Sequence, residues 1–262
     1  MGRKLTLDIF RYNPSAGWTK PGMQTFELEE TPGMNVFIAL TRIREEHDPS
    51  LLFDFVCRTA LCGSCGMLIN GKPRLGCKTF TRDLPARTTL FPLPLFKLIG
   101  DLSVDTGTWF RLLALRTGAW LHTSRAFAHS ILEERMDNET ALKIFEADRC
   151  IECGCCIAAC AKVHVQDEFI GAAGINRLAR FLLDPRDERS EAQHYEVRGS
   201  EDGIFGCMGL MGCMDNCPKD LPLRDQLAYV RRRMTAAGLA ETRSEMIRST
   251  VTSSSDRSML TA

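Results

Sequence analysis

The sequence predicts an α+β chain in two parts: a small mixed-sheet domain over residues 1–102, then an all-helical domain over residues 103–238, with a polar tail over 239–262 expected to be disordered. Three observations predict it. Short alternating apolar runs dominate the first hundred residues, whereas helical spacing takes over from about residue 105. Eleven of the twelve cysteines fall into three close-spaced sets, one in the first part and two in the second.

The elements follow in order. Residues 4–12 alternate through Leu5, Leu7 and Ile9 and read as a strand; residues 24–29 read as its hairpin partner across a Pro/Gly-rich turn. Residues 35–47 carry Val36, Ile38, Ala39, Leu40 and Ile43 at helical spacing. After the first cysteines, Gly66-Met67-Leu68-Ile69 is a short strand that ends at the turn signal Asn70-Gly71. Strand, hairpin, helix, cysteine loop and strand in this order describe a β-grasp domain, closed by the proline-rich Phe91-Pro92-Leu93-Pro94. Helices are then expected over 137–148, over 174–183, ended by Asp184-Pro185, and over 221–234. The tail from about Glu241 is rich in Ser, Thr and Arg with little periodicity, which is why disorder is expected there.

Composition narrows the function classes. The chain has 262 residues, 44% hydrophobic and 25% charged, which is ordinary for a globular protein, and its formal net charge is zero. No global attraction to nucleic acid or anionic lipid follows. No stretch reaches the roughly 18 consecutive apolar residues of a membrane span, and the best candidate, 109–121, is cut by Arg111 and Arg116. The first six residues show no apolar signal-peptide core, so the cysteines are expected to work reduced, as metal ligands rather than bridges.

The chemistry lies in the cysteine spacing. Cys57, Cys62, Cys65 and Cys77 form C-x4-C-x2-C-x11-C, the plant-type pattern for a [2Fe–2S] centre. Gly63 and Gly66 let backbone N–H groups approach the sulfurs, which raises the reduction potential, and Arg58 beside a ligand acts in the same direction. Cys150, Cys153, Cys156 and Cys160 form C-x2-C-x2-C-x3-C, and in two-cluster ferredoxins the fourth cysteine of such a run serves the other cluster. The last set, Cys207, Cys213 and Cys217 followed by Pro218, is the same half-motif with Leu210 in place of its second cysteine. Leucine cannot ligate iron. The expected products are a [4Fe–4S] cluster on Cys150, Cys153, Cys156 and Cys217, and a [3Fe–4S] cluster on Cys160, Cys207 and Cys213, with its potential moved upward. Cys155 is read as a small buried neighbour rather than a ligand, because Cys156 keeps the spacing. The full fold expectation is thus an N-terminal β-grasp plant-type [2Fe-2S] ferredoxin domain plus a C-terminal all-α bacterial-ferredoxin-like domain.

These motifs in this order resemble the iron–sulfur subunit of the succinate dehydrogenase and quinol:fumarate reductase family over residues 3 to 235. Phe53-Asp54-Phe55-Val56-Cys57-Arg58, Cys62-Gly63-Ser64-Cys65-Gly66 and Cys217-Pro218-Lys219 are the specific matches. The run from Asp148-Arg149-Cys150 to Ala158-Ala159-Cys160, and Gly171-Ala172-Ala173-Gly174, resemble the quinol:fumarate reductases of anaerobic bacteria with a dihaem cytochrome b anchor. The resemblance implies two partners, an FAD-containing flavoprotein that interconverts fumarate and succinate and a membrane anchor with menaquinone. It implies a position at the cytoplasmic side of the inner membrane, held there by the anchor. The β-grasp domain should face the flavin and the helical domain the anchor. Family members with a quinone near the [3Fe–4S] cluster have a histidine after the first cysteine of the last motif and a tryptophan after the middle run. Here Met208 and Ala161-Lys162-Val163-His164 stand there, which favours electron exchange through a haem in the anchor.

Weaker signals are assigned structural roles. Arg231-Arg232-Arg233 reads as a charged helix face, His122, His129, His164 and His194 as surface or packing residues, and Trp109 and Trp120 as core or interface anchors. Lys219 is open between a solvated lysine and one beside a cluster or quinone headgroup. No G-x-G-x-x-G, P-loop or Ser/His/Asp arrangement marks a flavin, nucleotide or substrate site of the chain's own. The same subunit acting as a succinate dehydrogenase is the nearest alternative; a free multi-cluster ferredoxin and a structural zinc protein are the more distant ones.

Overall fold

The computed structural model describes the backbone of residues 2–124 and 135–257; His129 lies outside the described residues. Strands β1 (Lys4–Arg11) and β2 (Gly22–Glu29) pair antiparallel, with Leu5 opposite Leu28 and Leu7 opposite Phe26. That register puts the alternating apolar residues on one face, where helix α1 (Val36–Glu46) covers them with Val36, Ala39, Leu40 and Ile43, all buried. Asn35 caps α1 through its side-chain oxygen, which accepts from the Ile38 N–H at 2.9 Å. Strands β3 (Gly66–Ile69) and β4 (Lys72–Leu75) form the hairpin that Asn70-Gly71 signals, with both turn residues at positive φ. Strand β5 (Arg87–Phe91) runs parallel to β1 and antiparallel to β3, giving the sheet order β2-β1-β5-β3-β4. A short hairpin of β6 (Lys97–Gly100) and β7 (Ser103–Asp105) leads out of the sheet.

The second part is helical: α2 (Thr106–Thr117), α3 (Asn138–Asp148), α4 (Cys155–Ala158), α5 (Ala161–Val165), α6 (Gly171–Leu183), α7 (Glu191–Arg198), α8 (Gly212–Asp215) and α9 (Leu223–Arg257). The centre is α6, whose Ala173, Ile175, Leu178 and Ala179 sit in one apolar cluster with Phe110, Ile157, Leu227 and Val230 from its neighbours. Two features differ from the sequence reading. Helix α6 begins three residues earlier than expected, at Gly171, because Gly171-Ala172-Ala173-Gly174 is small enough to lie against Ile157, Ile170 and Leu113. Helix α9 does not stop near 234 but continues to Arg257, through the segment expected to be disordered. The stretch after Met234 keeps good helix formers (Ala236, Ala237, Leu239, Ala240), and no proline interrupts it.

The two parts share a core. Cys153 and Cys155, from the first helical cysteine run, belong to the same apolar cluster as Cys65, Met67 and Cys77 of the β-grasp domain.

Candidate metal centres

The first cysteine set lies on the loop between α1 and β3, with Cys77 just after β4. Three backbone N–H groups converge on one sulfur: those of Thr59, Leu61 and Cys62 donate to Cys57 Sγ at 3.4, 3.2 and 3.3 Å. The Ala60 N–H donates to Cys77 Sγ at 3.3 Å, and that of Cys57 to Cys62 Sγ at 3.4 Å. Arg58 and Ala60 take positive φ to aim these groups inward. The Thr59 N–H, with the others, draws the Cys57 thiol down to about 6, so this loop stabilises thiolate. Cys65 and Cys77 are buried with their sulfurs 3.3 Å apart, and burial pushes the Cys65 thiol up to about 12. One side of the site is therefore rich in donors and the other apolar, a donor set that fits a cationic di-iron core. Arg58 does not point into the cage; its guanidinium lies over the rings of Phe37 and Phe55, 5.8 and 5.7 Å from their centroids.

The second site is a small, mainly apolar cavity. Cys150, Cys153, Cys156 and Cys217 all line it, together with Phe110, Ala173, Leu221, Leu223, Pro218 and Lys219. Burial holds the Cys150 thiol up at about 11 and Cys156 well above the usual thiol range, each with its cysteine neighbours adding to the effect. Two buried thiols that resist ionisation for want of counter-charge, with Cys153 and Cys217 on the same wall, fit a cationic cluster core.

Around Cys213 the third set closes. Its thiol is pushed up to about 11, first by burial and then by Cys160 and Cys207 beside it. Leu210, in the position of the missing cysteine, is 67% exposed. Gly209 and Met211 flank it at positive φ, which swings the loop outward. Among the described residues no three His, Cys, Asp or Glu side chains converge to hold a single metal ion.

The remaining sequence candidates fall as follows. Cys155 is fully buried and hydrogen-bonds Cys153 through its thiol, which holds its own pKa well above the usual range. His164 turns its Nε2 to the Ala158 carbonyl at 2.9 Å, and His194 is buried. Trp109 packs edge-on to Phe96 and Phe110, while Trp120 is exposed under the Arg180 guanidinium. Lys219 borders the second cavity. Arg231 is more than a charged surface residue, since it donates to the Cys207 carbonyl at 2.7 Å. Two supports have no sequence signal beyond standing next to a cysteine. Lys78 donates to the Pro218 carbonyl at 2.6 Å, and Arg149 to the Lys219 carbonyl at 2.7 Å.

Comparison with known proteins agrees with this geometry. A family model described as a 2Fe-2S iron-sulfur cluster binding domain matches residues 6–111, and one described as a 4Fe-4S dicluster domain matches residues 146–221. The fumarate reductase iron-sulfur subunit of Wolinella succinogenes is 53% identical over 237 residues, covering 90% of this chain and 99% of its own length. The succinate dehydrogenase iron-sulfur subunit of Coxiella burnetii is 33% identical over 233 residues, covering 88% and 97%. A chain in the structure described as the Mycobacterium smegmatis Sdh1 complex in the apo form superposes with a TM-score of 0.77 at 23% identity, over 90% of this chain and 97% of that one, and so shares the fold. Fold and cages together define a multi-centre iron–sulfur electron-transfer protein with [2Fe–2S] and [4Fe–4S] centres. More narrowly, the chain belongs to the family of iron–sulfur subunits of fumarate reductases and succinate dehydrogenases, oxidoreductase complexes with which a [3Fe–4S] third centre is consistent.

Proposed function

We propose that this chain is the electron-transfer subunit of a membrane-bound quinol:fumarate reductase. It would relay electrons between the quinone and haem of a cytochrome b anchor carrying menaquinone and the FAD of a flavoprotein subunit. No helix among the described residues is long and apolar enough to cross a membrane, so the anchor would hold the chain at the cytoplasmic face of the inner membrane. Identity favours the fumarate-reducing assignment, 53% against 33% for the succinate dehydrogenase relative; the opposite direction through the same subunit is the second reading.

In the ligand assignment we propose, Cys57, Cys62, Cys65 and Cys77 hold the [2Fe–2S] cluster. Cys150, Cys153, Cys156 and Cys217 hold the [4Fe–4S] cluster, and Cys160, Cys207 and Cys213 the [3Fe–4S] cluster, with Leu210 leaving one corner open. The units are taken as 1–102 for the β-grasp domain and 103–238 for the helical domain. Each cluster supplies a one-electron couple. The chain's residues do the rest: backbone N–H groups of residues 59–62 stabilise sulfur charge on the first site, and Phe110, Leu221 and Leu223 exclude water from the second. The observation that carries the reading is the contiguity of the three cages. Gly63 of the first loop lies against Cys153 of the second, and Cys156 of the second adjoins Cys213 of the third.

Low-temperature EPR of the purified complex tests it. Air-oxidised material should show a near-isotropic three-iron signal, and dithionite-reduced material a slowly relaxing [2Fe–2S] signal and a fast-relaxing [4Fe–4S] signal. A colourless preparation with zinc and no sulfide would end the proposal. Fumarate reduction driven by a menaquinol analogue, measured against succinate oxidation, decides the direction.

A further inference from the structure

We infer that Lys78 is a positioning residue, a latch that holds the Cys217 turn of the [4Fe–4S] site at a fixed distance from the [2Fe–2S] site. The inference rests on the ligand assignment proposed above. Lys78 follows Cys77 directly, and Cys77 is itself immobilised: Asn35 Nδ2 donates to its carbonyl at 3.0 Å and the Ala60 N–H to its sulfur at 3.3 Å. From this anchored base the Lys78 side chain crosses 140 residues of sequence. Its Nζ donates to the Pro218 carbonyl at 2.6 Å and lies 3.6 Å from the Asp220 carboxylate.

The turn it grips is built to be gripped. Pro218 has no N–H and a restricted φ, which removes one of the two backbone freedoms at the turn. The turn closes through the Asp220 N–H on the Cys217 carbonyl at 3.2 Å. The next carbonyl along, that of Lys219, is held from the other side by Arg149, which precedes Cys150. The two carbonyls after Cys217 are thus bound by cations adjoining ligands of two different clusters. Lys78 and Asp220 are both substantially exposed, so their ion pair adds little stability. What the contact fixes is geometry: it joins one ligand of each cluster through a single side chain.

The test is Lys78→Met against Lys78→Arg in the intact complex. Iron, acid-labile sulfide and integrated EPR signals count the clusters first, and wild-type protein lacking either reduced signal would overturn the ligand assignment itself. Power saturation of the [2Fe–2S] signal with the [4Fe–4S] cluster reduced then reads their separation, because relaxation enhancement falls with the sixth power of distance. We expect Lys78→Met to keep all clusters with an about twofold lower half-saturation power, the response to ~1 Å of displacement, and with faster amide exchange over residues 217–220. Lys78→Arg should restore the wild-type value. An unchanged half-saturation power in Lys78→Met, or equal changes in both variants, would overturn the latch. So would loss of a cluster from Lys78→Met, because the residue would then serve assembly rather than spacing.

Discussion

The α-carbon of Gly63 packs directly on Cys153: a Cβ at Gly63 would fall 2.8 Å from the Cys153 Cβ, 3.0 Å from its Cα and 2.9 Å from the Ile151 carbonyl oxygen. Gly63 lies between Cys62 and Cys65, and Cys153 is a wall of the second cavity. The loop of one site therefore touches a proposed ligand of the next, backbone to side chain, with no room for a methyl group. Gly63 also sits at φ +78, a region that L side chains rarely adopt.

Gly63→Ala should accordingly be among the most damaging small substitutions in the chain. Left-handed strain and overpacking against backbone each cost about 1–3 kcal/mol. We expect a lower thermal midpoint and a weakened magnetic interaction between the reduced [2Fe–2S] and [4Fe–4S] clusters, read by EPR power saturation. Wild-type values for both would show that the two loops can separate freely and that the contact does not set their spacing.

Leu210→Cys tests the third site. Leu210 stands where the repeat of the half-motif demands a ligand, and its neighbours Gly209 and Met211 turn the loop outward. The loop is short and begins at Cys207, so a thiol at 210 needs only a local turn to reach the open corner. We expect conversion of the oxidised three-iron EPR signal to a four-iron cluster that is silent when oxidised. An undiminished three-iron signal in a fully loaded variant would show that loop geometry, and not only residue type, keeps the corner open.

Cys155 is the exception among the twelve cysteines. It is fully buried, hydrogen-bonds Cys153 and is not on the wall of the second cavity, which Cys150, Cys153, Cys156 and Cys217 line without it. Cys155→Ser, which retains a small donor, and Cys155→Ala, which removes it, should both hold all three clusters by iron and sulfide analysis. The alanine variant leaves a small void and costs about 1 kcal/mol. Loss of any one cluster from both variants would make Cys155 a ligand.

The parts of this molecule that were legible in the sequence are those with local causes. Asn35 declares the start of α1 because its side chain caps three residues on, and Asn70-Gly71 declares a hairpin because both residues tolerate positive φ. The cysteine spacing was legible because it is local: Cys57, Cys62 and Cys65 share one short run and Cys150, Cys153 and Cys156 another. What was not legible is long-range. Arg11 occupies the end of a strand whose pattern gives no hint of burial, yet it is 2% exposed, held by Asp48 at 2.7 Å and Asp101 at 3.2 Å. Lys78 looks like any surface lysine until Pro218 arrives beside it. The length of helix α9 was hidden for a different reason: a polar, weakly periodic segment carries the composition of a disordered tail and also that of an exposed helix.

His194 provides the pH test. It lies on α7, 1% exposed, and its Nδ1 has no hydrogen-bond partner among the described residues. Around it stand Arg189 and Asp187 from the preceding segment, Arg198 one turn further along α7, and His122 from the segment after α2. Arg198 and Arg189 are committed elsewhere, donating to the Arg116 and Thr117 carbonyls at the end of α2 at 2.6 and 3.5 Å. Burial first, and then the Arg189 charge, depress the His194 pKa from 6.5 to about 4. The imidazole is thus neutral in the folded chain at pH values where the unfolded chain would already bind a proton. Its contribution to stability is fully present above pH 6.5 and is lost as pH falls through about 4. The full span is worth about 3 kcal/mol. His194→Gln, neutral at every pH, should flatten the fall in thermal midpoint between pH 7 and pH 4.5, while cluster content matches wild type at each pH. Two curves that run parallel would show that His194 takes up its proton as easily folded as unfolded, and the acid sensitivity of the chain would then lie with its carboxylates.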